Sequence, residues 1–167
     1  MKLTRFLKPS QIKLELATKN PAEIPEDVNP QKLLWQNKEA IIVELADLLD
    51  TSGKVVNKKK LLTDLVNRER KSSTAIGAQI AIPHVRTMQA RDFAVAFARS
   101  AEGVDFDAPD GEPVKFFFAV VSPPYDDKFY LQIYKSIGMA LSKSEIKELL
   151  LNATTEHEII KIFSELR

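Results

Sequence analysis

The sequence predicts a single α/β domain with a mixed, mostly central β-sheet flanked by helices on both faces. Several short apolar runs in the middle of the chain are typical of strands, and the run Phe116–Val121 is unbroken, as expected of a strand covered on both faces. Helical patterns precede and follow this region. Strands and helices interleave without a strict repeat, which favours a mixed sheet. The length of 167 residues fits one domain, which we assign to residues 1–167.

The N-terminal region predicts one strand followed by an extended segment. Ile12, Leu14 and Leu16 alternate with polar residues, which is the period of a half-buried strand. The segment 19–31 contains three prolines, and such a density prevents a helix and blocks a central strand. We therefore expect a proline-rich insertion within the domain at about 19–35.

Two helices are expected next. Asn37 is suited to cap a helix that ends near Leu49 and carries apolar residues on one stripe. Asn57 is suited to cap a second helix, which would place Arg68 and Glu69 in its last turn.

The central region predicts strands, and the C-terminal region predicts helices. The expected strands are 80–82, 93–97, 104–106 and 114–121, with a turn at Asp110–Gly111. After Pro123–Pro124, a helix capped by Asp126 or Asp127 would carry the stripe Tyr130, Ile133, Tyr134, Ile137, Ala140 and Leu141. Two capping-box spacings, Ser142 with Glu145 and Thr155 with Glu158, predict two further helices.

Composition limits the function. The net charge of +1 leaves no basic footprint for a nucleic acid, and the absence of cysteine excludes disulfides, thiolate catalysis and cysteine-ligated metals. The longest apolar run is too short to cross a bilayer, and the N-terminus lacks the apolar segment of a signal peptide. We expect a cytoplasmic protein without membrane insertion.

His84 is the leading candidate for chemistry near neutral pH, because the chain has only two histidines. It follows Pro83 at the end of a strand-like run, and a side chain just beyond such a strand end tends to project at a loop rim. We therefore expect an exposed imidazole. The alternative is a histidine that only satisfies a nearby carbonyl. His157, between two glutamates, is interpreted as a surface residue.

Arg68 and the hydroxyl run Ser72–Ser73–Thr74 precede His84 in the chain. A guanidinium presents paired donors that match phosphate oxygens, so Arg68 is a candidate anion clamp. Thr74 is a candidate to orient an imidazole nitrogen or a phosphoryl oxygen. The alternatives are a solvated surface arginine and an ordinary loop.

Taken together, these residues resemble a known family. The stretch Arg68–Gly77, continuing through Ile80–Ala81–Ile82–Pro83–His84, is similar to the signature of enzyme IIA domains of the bacterial phosphotransferase system, mannitol/fructose type, which includes the nitrogen-regulatory branch. Further similarity at Leu7–Leu16, 38–41, 104–107 and 111–114 extends the resemblance over nearly the whole chain.

The resemblance implies a fold and a reaction. It implies the mannitol/fructose-type enzyme IIA fold and phosphorylation of His84, with Arg68 as the clamp. The donor would be the phosphohistidine of HPr or a nitrogen-type paralogue, and the acceptor an enzyme IIB domain or a regulatory target. A loose phosphoryl transfer needs positioning and charge stabilisation, so no cofactor or metal is implied.

The sequence departs from the family pattern at two places. Tyr130, before Leu131, stands where members of the family carry a second histidine, and it is also a candidate for half-buried core. Ala78–Gln79 stands where the family often has glycine at the second position, so Gln79 would have to adopt any positive φ at a steric cost.

Three hypotheses follow. The protein is a phosphocarrier in a sugar relay, a binding protein whose partner responds to phosphorylation, or a scaffold without catalysis. A tyrosine in place of the second histidine favours the regulatory hypothesis over sugar transfer.

Overall fold

The computed structural model describes residues 3–125 and 127–166, which form a six-stranded mixed sheet and five α-helices. Two 3₁₀ turns, Leu3–Arg5 and Pro9–Gln11, come first. The other elements are β1 (Ile12–Lys13), α1 (Pro30–Asp50), α2 (Lys58–Lys71), β2 (Ala75–Gly77), β3 (Ile80–Ala81), β4 (His84–Arg86), β5 (Ala94–Val104), β6 (Val114–Ser122), α3 (Asp127–Leu141), α4 (Ser144–Asn152) and α5 (Glu156–Ser164).

The sheet is mixed, as the sequence predicts. Its order is β1-β5-β6-β3-β2, and β4 also pairs with β6 beyond the end of β3. Strands β5 and β6 are antiparallel, as are β2 and β3, whereas β1 runs parallel to β5 and both β3 and β4 run parallel to β6. Strand β6 is therefore the centre of the sheet, and its near-continuous apolar sequence reflects burial on both faces.

Alternate residues of β6 face two separate cores. Phe117, with Ala119 and Val121, packs in the core formed with α1 and α2. Phe116 and Phe118 pack in the core formed with α3, α4 and α5. Because successive side chains of a strand point to opposite faces, this one strand anchors helices on both sides of the sheet.

The first helix begins earlier than predicted. The expectation of a cap at Asn37 is wrong, because Asn29 is the N-cap and its side chain accepts a hydrogen bond from the Gln31 amide at 2.9 Å. Pro30 occupies the first helical position, where its fixed φ is favourable and its missing N–H costs nothing. Residues 30–35 are therefore helical, and the extended part of the proline-rich segment ends at Asn29.

Two other boundary predictions are wrong. The segment 104–106 is not a separate strand, because β5 continues to Val104 through a bulge, where the Gly103 amide donates to Ser100 Oγ at 3.1 Å. Ser142 does not cap α4, because its hydroxyl donates to the Met139 carbonyl at the end of α3 and Lys143 is the N-cap.

Other local predictions are confirmed. Asn57 caps α2 by accepting from the Lys60 amide, and Thr155 caps α5 by accepting from the Glu158 amide. The predicted turn residues Asp110 and Gly111 lie in a turn that begins one residue earlier, in which the Gly111 amide donates to the Ala108 carbonyl at 3.0 Å. Asp127 is the first residue of α3, and Asp126 lies outside the described residues. None of the helices described here is long and apolar enough to cross a membrane.

Candidate functional site

His84 is the first residue of β4 and pairs with Val120 of the central strand. Both β3 and β4 pair with β6, and Pro83 lies between these two strands, where it has no N–H to donate, but its carbonyl still accepts from the Val120 amide at 2.9 Å. The prediction of an exposed ring at a loop rim is therefore wrong. His84 is half-buried and lies on a strand, which holds the imidazole more rigidly than a loop would.

A short hydrogen bond sets the tautomer of the imidazole. His84 Nδ1 lies 2.6 Å from the Ile82 carbonyl oxygen, which can only accept, so Nδ1 carries the proton and donates. In the neutral ring this assignment leaves the lone pair on Nε2. Nε2 is consequently the ring nitrogen that can act as a nucleophile.

Two tyrosines of α3 contact the imidazole. The ring centroids of Tyr130 and Tyr134 lie 5.7 and 4.9 Å from that of His84, and the Tyr134 contact is edge-to-face. The two residues are four positions apart on the helix and therefore share one face. Tyr130 is 7% exposed, so it belongs to the hydrophobic core and to the site at once. Tyr134 is a site residue that the sequence analysis assigned only to the core.

Arg68 supplies positive charge to the site from the last turn of α2. Its Nη1 donates to the Ser72 carbonyl at 2.9 Å, which ties the guanidinium to the chain after the helix. Burial lowers the pKa of His84, and the Arg68 charge lowers it further, although the Ile82 hydrogen bond and Glu69 oppose the change. The imidazole is therefore kept neutral, the state in which Nε2 is a nucleophile.

The phenol of Tyr130 is held in its protonated form. Burial raises its pKa well above the ordinary value, and the charges of Arg68 and Arg86 only partly oppose this effect. The Arg86 guanidinium carbon lies 5.9 Å from the centroid of the Tyr130 ring. Arg86, two residues after His84 on β4, is a second cation that sequence reasoning missed. The period of a strand, which places residues two apart on one face, was the available signal.

Thr74 lies in a buried cluster beside α2. Its amide and hydroxyl donate to the two carboxylate oxygens of Glu69, at 2.9 and 2.6 Å. Glu69 also forms an ion pair with Lys38 at 3.0 Å. Thr74 therefore fixes the chain between α2 and β2. The cluster also contains Glu69 and Lys38, which the sequence analysis did not identify as site residues.

Other residues singled out in the sequence lie in turns or at the surface. Ser73 donates to the Phe106 carbonyl at 3.0 Å, and the exposed His157 lies on α5. Gln79 has a φ of +71°, which bears out the expectation that it replaces glycine in a left-handed conformation. Within residues 3–125 and 127–166, no three acidic or histidine side chains are grouped as metal ligands.

Comparisons with known proteins identify relatives of this chain. Residues 25–166 match the family model "Phosphoenolpyruvate-dependent sugar phosphotransferase system, EIIA 2". The chain is 36% identical to the "PTS system fructose-specific EIIA component" of Haloferax volcanii, over 77% of this chain and 83% of that protein. It is 32% identical to the "PTS system fructose-specific EIIABC component" of Bacillus subtilis over 99% of this chain, and it spans only 23% of that relative.

The chain is also similar to nitrogen regulatory proteins. A "Nitrogen regulatory protein" of Pseudomonas aeruginosa is 28% identical over 75% of this chain and 82% of that protein. The crystal structure of nitrogen regulatory protein IIA-Ntr from Neisseria meningitidis superposes with a TM-score of 0.78 at 25% identity, over 96% of this chain and 98% of that one. The mannitol IIA of Escherichia coli shares the fold, with a TM-score of 0.71 at 20% identity, over 94% of this chain and 98% of that one. The chain therefore belongs to the type 2 EIIA family of the phosphoenolpyruvate-dependent sugar phosphotransferase system, whose fold it has.

Proposed function

We propose that this protein is a phosphoryl carrier that accepts a phosphoryl group on His84 Nε2 from the phosphohistidine of HPr or a nitrogen-type paralogue. The observation that carries the proposal is the hydrogen bond from Nδ1 to the Ile82 carbonyl, which leaves the Nε2 lone pair available. Membership of the EIIA family supports the same assignment.

The transfer exchanges one nitrogen–phosphorus bond for another. The Nε2 lone pair attacks phosphorus in line with the donor nitrogen, whose bond to phosphorus breaks and whose electron pair returns to the donor imidazole. The His84 proton stays on Nδ1, where the Ile82 carbonyl stabilises the positive charge that the ring acquires. Both bonds are phosphoramidates, so the group can move onward without a large change in free energy.

Arg68 and Tyr130 are the residues that we expect to stabilise the transferring group. Arg68 is a permanent cation whose field reaches both His84 and Tyr130. Tyr130 stays protonated, so its hydroxyl is a neutral hydrogen-bond donor for a phosphoryl oxygen. Such preorganised donors and charges are the main means by which phosphoryl transfer is accelerated.

The primary test is labelling by a reconstituted relay. Enzyme I, HPr or its nitrogen-type paralogue, and labelled phosphoenolpyruvate should place an acid-labile label on the wild-type protein. The label should be lost in His84→Ala and retained in His157→Ala, which is the matched control because these are the only two histidines. The absence of label with every donor, or its retention in His84→Ala, would contradict the proposal.

The acceptor is proposed to be an enzyme IIB domain. One solved structure with this fold is a complex of mannitol enzyme IIA with phosphorylated enzyme IIB from Escherichia coli, with a TM-score of 0.70. Transfer of label from the phosphorylated protein to a IIB domain tests this step. Tyr130→His should speed it if the second histidine of the family contributes to transfer, and an unchanged rate would show that Tyr130 is a sufficient substitute.

A second candidate function is regulation through the phosphorylation state. It is favoured by Tyr130 at the second-histidine position and by the similarity to nitrogen regulatory proteins. Phosphorylation would add about two negative charges at one place on the surface, which is enough to change the affinity for a partner. A protein that accepts label on His84 but passes none to any IIB domain would support this function.

A further inference from the structure

An ion pair lies fully inside the protein between the first two helices. Lys38 Nζ of α1 is 3.0 Å from Glu69 Oε1 of α2, and both side chains are 1% exposed. The ammonium also lies 4.8 Å from the ring centroids of Trp35 and Phe106. Burying two charges in this way seldom increases stability over apolar residues of the same size. Stability alone therefore does not explain why the protein buries this ion pair.

The pair begins a chain of hydrogen bonds that ends at the imidazole. Glu69 accepts from the Thr74 hydroxyl and amide, at 2.6 and 2.9 Å. The Thr74 carbonyl accepts from the Ile82 amide at 3.0 Å. The Ile82 carbonyl in turn accepts from His84 Nδ1 at 2.6 Å. Each hydrogen bond fixes the position of the next group in this chain. The position of the Lys38 ammonium therefore influences which nitrogen of the His84 ring carries the proton.

The pair also balances charge beneath the site. The groups whose charge or ring acts on His84 are Arg68 and Glu69 of α2, Tyr130 and Tyr134 of α3, and Arg86 through its contact with Tyr130. Glu69 is the one carboxylate among them. A phosphoryl group on Nε2 would bring about two further negative charges, and Lys38 neutralises the carboxylate that would repel them.

We propose that Lys38 is a positioning residue for phosphoryl transfer, which acts through Glu69 and Thr74 to hold the Ile82 carbonyl that keeps the His84 proton on Nδ1. This inference rests on the proposed function for its role in transfer. Its structural part, the link from Lys38 to the tautomer, concerns the unphosphorylated protein and is tested separately.

The test is the substitution Lys38→Met, which removes the charge and nearly keeps the length of the side chain. In wild-type protein, long-range proton–nitrogen NMR correlations should show His84 mainly as the Nδ1–H tautomer, with His157→Ala identifying its signals. Lys38→Met should increase the Nε2–H tautomer. The rate constant of phosphorylation should fall by about tenfold to a hundredfold, the usual effect of a misplaced nucleophile.

A matched control separates this effect from the loss of any ion pair on α1. Lys13 Nζ pairs with Glu44 of the same helix at 2.6 Å, on the outside of the protein. Lys13→Met should leave the tautomer, the pKa of His84 and the rate constant unchanged. The inference is overturned if folded Lys38→Met keeps the wild-type tautomer and rate constant.

If Lys38→Met does not fold, the double variant Lys38→Met/Glu69→Gln replaces it in the test. The double variant leaves no unpaired buried charge. It should still increase the Nε2–H tautomer and slow phosphorylation. A wild-type tautomer in the double variant overturns the inference. If the tautomer changes as expected while wild-type protein takes up no label, the proposed function has failed and the positioning of the ring stands.

Discussion

At the scale of single residues, interactions on both sides of the His84 ring determine its tautomer and protonation state. The Nδ1 side is held by the Ile82 carbonyl at 2.6 Å, and the ring is packed against Tyr134 at 4.9 Å. Burial and the Arg68 charge lower the pKa of the imidazole. These interactions select the neutral ring and one tautomer, which is the form that can attack phosphorus.

Arg68→Gln should raise the pKa of His84, because it removes a cation that disfavours the imidazolium. Under the proposed function the neutral ring is the nucleophile, so the rate of phosphorylation should fall as the pH drops through this pKa. The pH at which the rate falls should therefore move upward in the variant. At a pH where the ring is neutral in both proteins, loss of the clamp should still slow transfer by about 10²–10³-fold. NMR titration of His84 and pH–rate profiles measure the two effects.

Arg70→Gln is the matched control for Arg68. Arg70 lies on the same helical turn but is exposed and pairs with Glu39 at 2.7 Å. Its removal should change neither the titration of His84 nor the rate. An unaltered titration in Arg68→Gln would show that the guanidinium does not act on the ring.

At the scale of elements, the β2–β3 hairpin combines strain with tight anchoring. Ala78 and Gln79 both have positive φ, +55° and +71°, in a two-residue turn where glycine or asparagine is usual. The Ala78 amide donates to Asp110 at 2.9 Å, and the Gln79 carbonyl accepts from Lys115 and Phe116. These hydrogen bonds hold the turn in place and align β3 with the central strand.

Gln79→Gly should raise the free energy of unfolding by about 1 kcal/mol, because glycine adopts the left-handed conformation without a steric cost. Gly111→Ala is a control that should have the opposite effect, a lower free energy of unfolding. Gly111 has a φ of +72° and no atom lies within 4 Å of an added Cβ, so any loss of stability comes from the backbone alone. Urea denaturation measures both changes. A neutral or destabilising effect of Gln79→Gly would mean that its side chain offsets the strain.

At the scale of the whole molecule, the central strands couple two cores. Phe118 is fully buried on one face of β6, where it packs edge-to-face with Phe163 of α5 at 5.5 Å. Phe117 is buried on the other face, packed with Phe106 at 5.1 Å. The two cores pack against opposite faces of the same sheet. Loss of one core therefore exposes the sheet against which the other core packs.

Phe118→Ala should lower the free energy of unfolding by about 3–5 kcal/mol, the usual range for a truncated buried phenylalanine. Trp35, the only tryptophan, lies on α1 on the opposite side of the sheet and reports on the folding of that helix. Its fluorescence and the far-UV circular dichroism should therefore shift together to lower urea, as one transition. Leu149→Ala, at an exposed position of α4, should cause little change. Separate transitions for the two probes would show that the cores unfold independently.

The sequence alone indicated the parts of this protein that depend on neighbouring residues in the chain. The apolar run of β6, the caps at Asn57 and Thr155, and the motif around His84 are local patterns, and each was readable without coordinates. The start of α1 was missed although the signal was local, because Pro30 was interpreted as breaking a helix when it begins one.

Tertiary structure alone decided the surroundings of the imidazole. The Lys38–Glu69 ion pair joins residues that are 31 positions apart in the chain. The contact between His84 and Tyr134 joins strand β4 to helix α3. The packing of the helices across the sheet decides which residues distant in the chain come into contact. Neither composition nor periodicity predicts that packing. The sequence therefore identified His84 as the candidate for the reacting residue, whereas the tautomer, protonation and charge balance of its ring arise from packing.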